Sequence, residues 1–224
     1  MPDTAFRGTL LDSGVPQERE LKFSVLDPRV PAMDELAAAL APLQVAAAPE
    51  QAILDRYYED DAGSLHGAGL ALRRRRVGER AWATLKGRGV RQGAFHQREE
   101  LELPLTSAAE AAPWPEAVTE RLAGIADPAA LTPRVELETA RVPFVIRKQG
   151  ADVAVLSFDA VTARAPGGER SALFDEVEIE ALSEATSQAD LEGIGEAVDG
   201  LVHLTPNPIS KLERAEALLL LASW

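Results

Sequence analysis

Acidic and basic side chains alternate along several short segments of this chain. Glu18, Glu20 and Lys22 occupy every second position of one such segment, and Phe23 and Val25 follow them. In a strand, side chains at every second position project from the same face, so these three charges share one surface. Burying charges costs free energy unless they are paired or bind a metal. The segment therefore predicts a strand whose ionic face is not part of an ordinary core.

The same alternation recurs in four further segments. These segments place together Arg73 and Arg75; Thr84 and Lys86; Arg98, Glu100 and Glu102; and Glu176, Glu178 and Glu180. In the last segment Val177 and Ile179 alternate with the glutamates, which is typical of a half-buried strand. A single segment of this kind would be noise, but the repetition is a pattern. Taken alone, Arg73 to Arg76 would indicate an exposed basic face; the alternation predicts that only Arg74 and Arg76 are exposed.

The composition restricts which metal the protein can bind. The chain has no cysteine, and its histidines, His66, His96 and His203, are scattered. The absence of cysteine excludes a thiolate site and the scattered histidines argue against a zinc site, so a bound metal must be held by oxygen. Oxygen ligands favour Mg²⁺ or Mn²⁺. We expect the three histidines to be surface or helix residues without a catalytic role.

Charge and length indicate the class of protein and its partners. The chain has 224 residues and a net charge of -13, which argues against nucleic-acid binding. Its basic residues nevertheless cluster locally, which suits a small polyanion held in a pocket. No apolar run reaches the ~18 residues that span a bilayer, and residues 1–17 lack the features of a signal peptide. We expect a cytoplasmic protein with no membrane partner, and the run Leu218 to Leu221 predicts a docked helix face or a homodimer contact.

Periodicity and turn residues divide the chain into strands and peripheral helices. We predict an irregular leader over 1–17 and a single domain over 18–224, which ends in a helix within about 206–224. Strands are predicted over 18–26, 52–58, 69–77, 81–87, 95–103, 134–140, 144–149, 153–162 and 173–182, with a loop over 87–93. Helices are predicted over 31–43, within 106–131, over 187–202 and over 209–222. The two strand-rich halves are interpreted as parts of one barrel.

The order of these motifs resembles that of a known family. The chain is similar to the CYTH superfamily of triphosphate tunnel metalloenzymes, whose N-terminal Glu-x-Glu-x-Lys is present as Glu18, Glu20 and Lys22. Further matching segments are Gly69 to Arg75, Thr84-Leu85-Lys86, Arg98 to Glu102, Thr139 to Arg141, Glu176 to Glu180, and Ser210-Lys211-x-x-Arg214. The resemblance extends from residue 18 to about 214. Each motif alone is weak, and their common order makes the signal specific.

The resemblance implies an α+β fold, mainly antiparallel β, in which a closed eight-stranded β-barrel forms a triphosphate tunnel with peripheral helices outside. Charges that face a wet lumen escape burial there. The implied metal ligands are Glu18, Glu20, Glu100, Glu102, Glu176, Glu178 and Glu180. The implied phosphate-binding residues are Arg73, Arg75, Lys86, Arg98 and Arg141, and the implied catalytic residues are Lys22 and Lys211. Asp159 is interpreted either as a lumen ligand or as an ion-pair partner.

The implied activity is hydrolysis of inorganic tripolyphosphate to pyrophosphate and phosphate, dependent on Mg²⁺ or Mn²⁺. The small-molecule triphosphate would be bound by the basic groups, and the metal would sit between it and the carboxylates. Class IV adenylate cyclase is an alternative, although the His-Phe pair that often precedes Glu-x-Glu-x-Lys is absent. A thiamine or nucleoside triphosphatase is another, without an aromatic cluster near the acidic strands. A polyphosphate-binding module without enzyme activity is the third.

Overall fold

The computed structural model describes residues 9–10, 16–26, 28–107, 112–168 and 171–222. This part of the chain forms eleven strands and five helices. The strands are β1 (Thr9–Leu10), β2 (Pro16–Val25), β3 (Gln44–Ala47), β4 (Gln51–Glu59), β5 (Ala71–Val77), β6 (Arg80–Gln92), β7 (Phe95–Pro104), β8 (Thr132–Lys148), β9 (Ala151–Arg164), β10 (Ser171–Ala181) and β11 (Leu204–Pro206). The helices are α1 (Met33–Ala39), α2 (Ser64–Ala68), α3 (Glu116–Leu122), α4 (Gln188–Asp199) and α5 (Lys211–Leu221).

Eight strands close into an antiparallel barrel. Their order is β2-β10-β9-β8-β4-β5-β6-β7, and β7 pairs again with β2. The remaining strands add to its margins, with β1 and β11 paired to β2 and β3 paired to β8. Closure leaves every barrel strand paired on both sides and creates an interior separate from the outer face. The predicted closed eight-stranded barrel is confirmed.

Two predicted breaks in the sheet are wrong. Residues 134–148 belong to one strand, β8, because Pro143 lies where the partner of β8 changes from β4 to β3. At that point the missing N–H of proline costs no ladder hydrogen bond. The predicted loop over 87–93 is part of β6, which continues to Gln92 through a bulge between Lys86 and Gly89. A bulge accommodates an extra residue without ending the strand.

The predicted helices are shorter in the structure. Within 106–131 the described residues form a single helix, α3, and residues 108–111 lie outside the described part. Most of the predicted leader also lies outside it, but Thr9–Leu10 pairs with the start of β2 at Pro16, two residues before the predicted first strand. The short strand β3 and helix α2 have no counterpart in our predictions. Trp224 lies outside the described residues.

The outer face of the barrel is apolar where helices cover it. Leu21 and Phe23 of β2 pack in one cluster with Leu36 of α1 and with Leu191 and Ile194 of α4. These β2 residues alternate with Glu20 and Lys22, so the same strand has an apolar outer face and an ionic inner face. In the described part of the chain, no helix is long and apolar enough to cross a membrane.

Helix α5 closes one end of the barrel. Its residues Ala215 and Leu219 are buried in a cluster with Tyr57 of β4, Leu137 of β8 and Phe174 of β10. Tyr57 also lines the interior cavity, as do Ser210, Lys211 and Leu212 at the start of α5. Burial of this apolar face holds the helix against the barrel end, with its first turn directed towards the interior.

Candidate active site

The barrel interior is a narrow cavity lined mainly by charged side chains. Its volume is about 40 Å³. Eleven of the predicted site residues line it, namely Glu18, Glu20, Lys22, Arg73, Arg75, Lys86, Arg98, Arg141, Glu178, Glu180 and Lys211. The other three predicted residues contact this group or its neighbours, since Glu100 pairs with Lys86, Glu102 accepts from Thr84, and Glu176 lies near Lys211. The structure therefore brings together residues from six strands and one helix.

One group of charges is centred on Glu18 of β2. Lys86 Nζ of β6 donates to Glu18 Oε1 at 2.7 Å, and Arg98 Nε of β7 donates to Glu18 Oε2 at 2.7 Å. Arg98 also reaches Glu20 Oε1 at 3.3 Å, and Lys22 Nζ lies 3.3 Å from the same atom. Burial alone would raise the pKa of Glu18, but the charges of Arg98 and Lys86 hold it well below its usual range. Glu18 is therefore ionised at neutral pH.

A second group lies near the end that α5 closes. Arg141 of β8 binds both carboxylate oxygens of Asp159 at 2.8 and 2.6 Å, and it reaches Glu178 Oε2 at 2.5 Å. Lys211 Nζ donates to Asp159 Oδ2 at 2.6 Å and lies 3.3 Å from Glu178 Oε1. Lys22 Nζ donates to Glu178 Oε1 at 2.8 Å. Asp159 is thus an ion-pair partner in this arrangement, which is one of the two interpretations of its motif.

The two lysines of this group are held in the charged form. Burial lowers the pKa of Lys22, but the carboxylates of Glu178 and Glu20 outweigh it and raise the pKa above its usual value. For Lys211, burial likewise opposes the effect of Asp159 and Glu178, and the net shift is again upward. Both side chains therefore remain ammonium groups that donate hydrogen bonds and do not accept protons.

Asp55 of β4 is an acidic residue of the site that was not predicted from the sequence. It is fully buried, binds Arg75 Nε and Nη2 at 2.8 and 2.7 Å, and accepts from Arg73 Nη1 at 3.3 Å. The positive charges of Arg73 and Arg75 overcome burial and hold the pKa of Asp55 well below its usual range. The available signal was strand parity, because Asp55 shares one face of β4 with Ile53 and Tyr57. The strand register that places Asp55 opposite Arg75 cannot be read from the sequence, so this ion pair could not be predicted.

Three carboxyl groups of the site have a raised pKa. Burial and the charge of Glu18 raise the pKa of Glu100 to about 7. Burial and the neighbouring Glu18 and Glu20 raise that of Glu180 well above its usual range. Burial also raises the pKa of Glu176, whose Oε2 has no hydrogen-bond partner among the described residues. Negative charge is thus in local excess around Glu18, Glu20, Glu100 and Glu180.

This excess of carboxylates fits a divalent cation chemically. Mg²⁺ and Mn²⁺ prefer carboxylate oxygens, and a cation would relieve the repulsion that raises the pKa of Glu180. In the described part of the chain, however, no three acidic or histidine side chains converge closely enough to hold a metal ion. The carboxylates are directed instead towards lysine and arginine partners. A metal would therefore have to replace some of these ion pairs.

Asn207 is a second residue that the sequence analysis missed. It is 4% exposed and lies between β11 and α5. Its backbone N–H donates to the Lys22 carbonyl at 2.9 Å, and its side-chain Nδ2 donates to Glu176 Oε1 at 3.0 Å. Its carbonyl accepts from His96 Nε2 at 2.9 Å. Asn207 thus joins the segment before α5 to three barrel strands, and no sequence motif indicates this role.

Two lesser predictions need correction. His96 is 2% exposed and points towards the segment before α5, so it is not a surface residue. Its position on β7 has the same parity as Arg98, which directs it inward. Arg74 does project from the outer face of β5, but it is half-buried because its guanidinium lies 4.0 Å from the centre of the Trp114 ring. Arg76 is exposed, as predicted.

Comparison with known proteins identifies the family. The CYTH domain model matches residues 16–214, and no curated protein matches the chain. Among solved structures, a protein from Hippeastrum, described as a candidate adenylyl cyclase with a dominant triphosphatase activity, superposes with a TM-score of 0.65 at 17% identity. That alignment covers 89% of this chain and 95% of the other. A candidate adenylate cyclase from Bacillus halodurans gives a TM-score of 0.57 at 19% identity, covering 88% and 97%.

The PH1819 protein from Pyrococcus horikoshii has a TM-score of 0.51 at 17% identity, over 92% of this chain and 99% of that one. At these identities the similarity establishes the fold. The family model, in contrast, spans most of the chain, including both acidic strands and the start of α5. The chain therefore belongs to the CYTH family.

Proposed function

We propose that this protein is a divalent-metal-dependent triphosphatase that hydrolyses inorganic tripolyphosphate to pyrophosphate and phosphate. The observation that carries the proposal is the closed barrel interior, in which lysine and arginine side chains from several strands face carboxylates across a narrow cavity. A triphosphate is a short polyanion, and guanidinium and ammonium groups bind its oxygens by charge-assisted hydrogen bonds. The triphosphatase activity described for the Hippeastrum protein agrees with this proposal.

The basic residues have partners that a triphosphate can replace. Arg73, Arg75, Lys86, Arg98 and Arg141 each bind a carboxylate of the lumen. Phosphate oxygens offer the same acceptor geometry as carboxylate oxygens, so a bound triphosphate exchanges one ion pair for another. The carboxylates released in this exchange would be left unpaired. We propose that they then hold the cation.

The proposed metal ligands are Glu18, Glu20, Glu178 and Glu180, with Glu100, Glu102 and Glu176 as further candidates. A bound Mg²⁺ or Mn²⁺ would neutralise phosphate charge and polarise a phosphorus–oxygen bond. The raised pKa of Glu180 and of Glu100 shows where uncompensated negative charge accumulates. This is where a cation would be most strongly favoured.

Hydrolysis requires water to attack a terminal phosphorus while the bond from that phosphorus to the bridging oxygen breaks. Glu100 has a pKa of about 7, which suits a group that accepts the proton of the attacking water. Lys22 and Lys211 remain charged, so their role is to donate to the attacking water or to the oxygens of the departing pyrophosphate. Arg141 lies in the same group and would stabilise the same developing charge.

A panel of phosphate-release assays tests the proposal. Purified protein is incubated with tripolyphosphate, ATP or thiamine triphosphate, each with Mg²⁺, with Mn²⁺ or with a chelator. We expect tripolyphosphate to be the preferred substrate and the chelator to abolish release. The matched variants are Glu18→Gln, which should lose activity, and Glu79→Gln, an exposed position in the β5–β6 turn, which should retain it.

Each alternative function has its own outcome in this panel. Formation of cyclic AMP from ATP would identify a cyclase. Preferential hydrolysis of thiamine triphosphate or ATP would change the substrate. Tight binding of tripolyphosphate without phosphate release under any metal condition would instead indicate a binding module and contradict the proposal.

A further inference from the structure

A second cavity lies beside the tunnel, at the bulged end of β6 and the start of β7. Its volume is about 260 Å³, larger than that of the tunnel cavity. Three guanidinium groups line it, those of Arg88, Arg91 and Arg98, together with three glycines. None of the described residues that line it is acidic. We call this cavity the arginine pocket; it adjoins the tunnel, with which it shares Arg98.

Arg88 is fixed in place without a carboxylate. Its Nε donates to the Ala68 carbonyl at 3.1 Å and its Nη2 donates to the Gly67 carbonyl at 3.1 Å. The side chain lies across Gly69, where an added Cβ would be 2.2 Å from Arg88 Nε. Among the described contacts Arg88 has no ion-pair partner. The fold therefore orients a guanidinium with an uncompensated charge and with further N–H groups available.

The bulged part of β6 forms one wall of this pocket. The bulge between Lys86 and Gly89 places two residues, Gly87 and Arg88, opposite Glu99 alone. A bulge leaves its extra residue outside the regular ladder. At Gly89 an added Cβ would lie 2.1 Å from the Gln97 carbonyl oxygen, so the close approach of β7 to the bulge requires glycine at this position.

The two other arginines connect the pocket with the tunnel and with α5. Arg98 lines both cavities, and its bonds to Glu18 and Glu20 form part of the tunnel wall. Arg91 Nη1 donates to Glu213 in the first turn of α5 at 2.9 Å. Both members of that pair are about 40% exposed. An exposed ion pair contributes little free energy, so an incoming anion can compete for Arg91.

We infer that the arginine pocket is a second anion site, which takes a phosphate group next to the tunnel. Three guanidinium groups offer paired N–H donors that match phosphate oxygens. The described lining contains no phenylalanine, tyrosine or tryptophan side chain that would stack on a heterocycle; its one aromatic ring is the imidazole of His96, which is bound to the Asn207 carbonyl. The inference rests on the proposed function for its source of phosphate, which is either the orthophosphate released by hydrolysis or the far end of a polyphosphate chain longer than tripolyphosphate.

Calorimetric titration of the full-length, metal-free protein tests this site without requiring turnover. The ligands are orthophosphate, tripolyphosphate and tetrapolyphosphate, and the variants are Arg88→Gln and Arg91→Gln. Arg76→Gln is the matched control, because Arg76 is exposed on the outer face of β5. We expect each pocket variant to lower the affinity for orthophosphate or for tetrapolyphosphate about tenfold, because a hydrogen bond to a charged group is lost. The affinity for tripolyphosphate should stay within twofold of wild type.

The ligand whose affinity falls identifies the source of the phosphate. Weaker orthophosphate binding assigns the pocket to the released product, and weaker tetrapolyphosphate binding assigns it to a longer chain. Affinities of both within twofold of wild type in both variants would overturn the inference. A protein that binds these anions through the pocket but releases no phosphate from any substrate would contradict only the proposed function. Thermal melting of each variant verifies that it is folded.

Discussion

Replacing Asn207 with alanine should weaken the attachment of α5 and impair catalysis through Lys211. Two side-chain hydrogen bonds are lost, that from Nδ2 to Glu176 Oε1 at 3.0 Å and that from the Ile209 N–H to Oδ1 at 3.2 Å. Glu176 is buried and already has one oxygen without a hydrogen-bond partner. After the change its nearest donor groups are those of Arg214 at 3.3 Å and Lys211 at 3.8 Å.

The expected cost follows from these contacts. A hydrogen bond to a charged group contributes roughly 1.5–3 kcal/mol, and one between neutral groups about 1 kcal/mol. The free energy of unfolding should therefore fall by about 3 kcal/mol, which leaves a domain of ordinary stability folded. Since Lys211 begins α5 four residues after Asn207, we also expect kcat to fall by about tenfold or more, because small misplacements of a catalytic group are costly.

Urea unfolding and steady-state kinetics with tripolyphosphate measure the two effects. Thr205→Ala is the control, because Thr205 is exposed on β11 in the same segment and should change stability by less than about 0.5 kcal/mol. If Asn207 acts through Lys211, the double variant Asn207→Ala, Lys211→Ala should have the kcat of Lys211→Ala alone. An unchanged kcat in folded Asn207→Ala, or fully additive losses in the double variant, would refute this reasoning.

The remaining predictions concern the tunnel. Glu18→Gln should abolish turnover while the protein remains folded, as followed by phosphate release and circular dichroism; near-normal activity at saturating metal would exclude Glu18 as a ligand. Arg73→Ala should raise KM and lower kcat, whereas the outward Arg76→Ala should not, and equal kinetic effects would contradict the strand register. Because the pKa of Glu100 rises from 4.5 to about 7 on folding, the folded state binds its proton more tightly, and the stability of metal-free protein should fall as pH increases through this window. The decrease should be at most about 3 kcal/mol. Thermal melts between pH 5 and 8 should show a shallower decrease for Glu100→Gln, and identical slopes would argue against the shift.

Which charged side chains share one face of a strand could be predicted from the sequence alone. In a strand the direction of a side chain depends only on its position, with a period of two, so Glu18, Glu20 and Lys22 had to share a face. The apolar residues between them, such as Leu21, indicated that the opposite face is covered. The order of the charged segments also indicated the family and the closed barrel. A terminal helix with Lys211 in its first turn was likewise predicted, but over 209–222; in the structure it begins at Lys211, after the Ser210 cap.

Which charges pair, and what surrounds them, depends on the assembled barrel. Lys86 of β6 binds Glu18 of β2, and Lys211 of α5 binds Asp159 of β9; these partners are distant in sequence and are brought together by strand register and barrel closure. For the same reason Asp55 and Asn207 could not be identified from the sequence. The arginine partners of Asp55 lie on the neighbouring strand, and the contacts of Asn207 come from three barrel strands. The pKa of a carboxyl group is decided in the same way, because burial and neighbouring charges compete at each site. Such quantities are properties of the assembled barrel, and no local pattern in the chain encodes them.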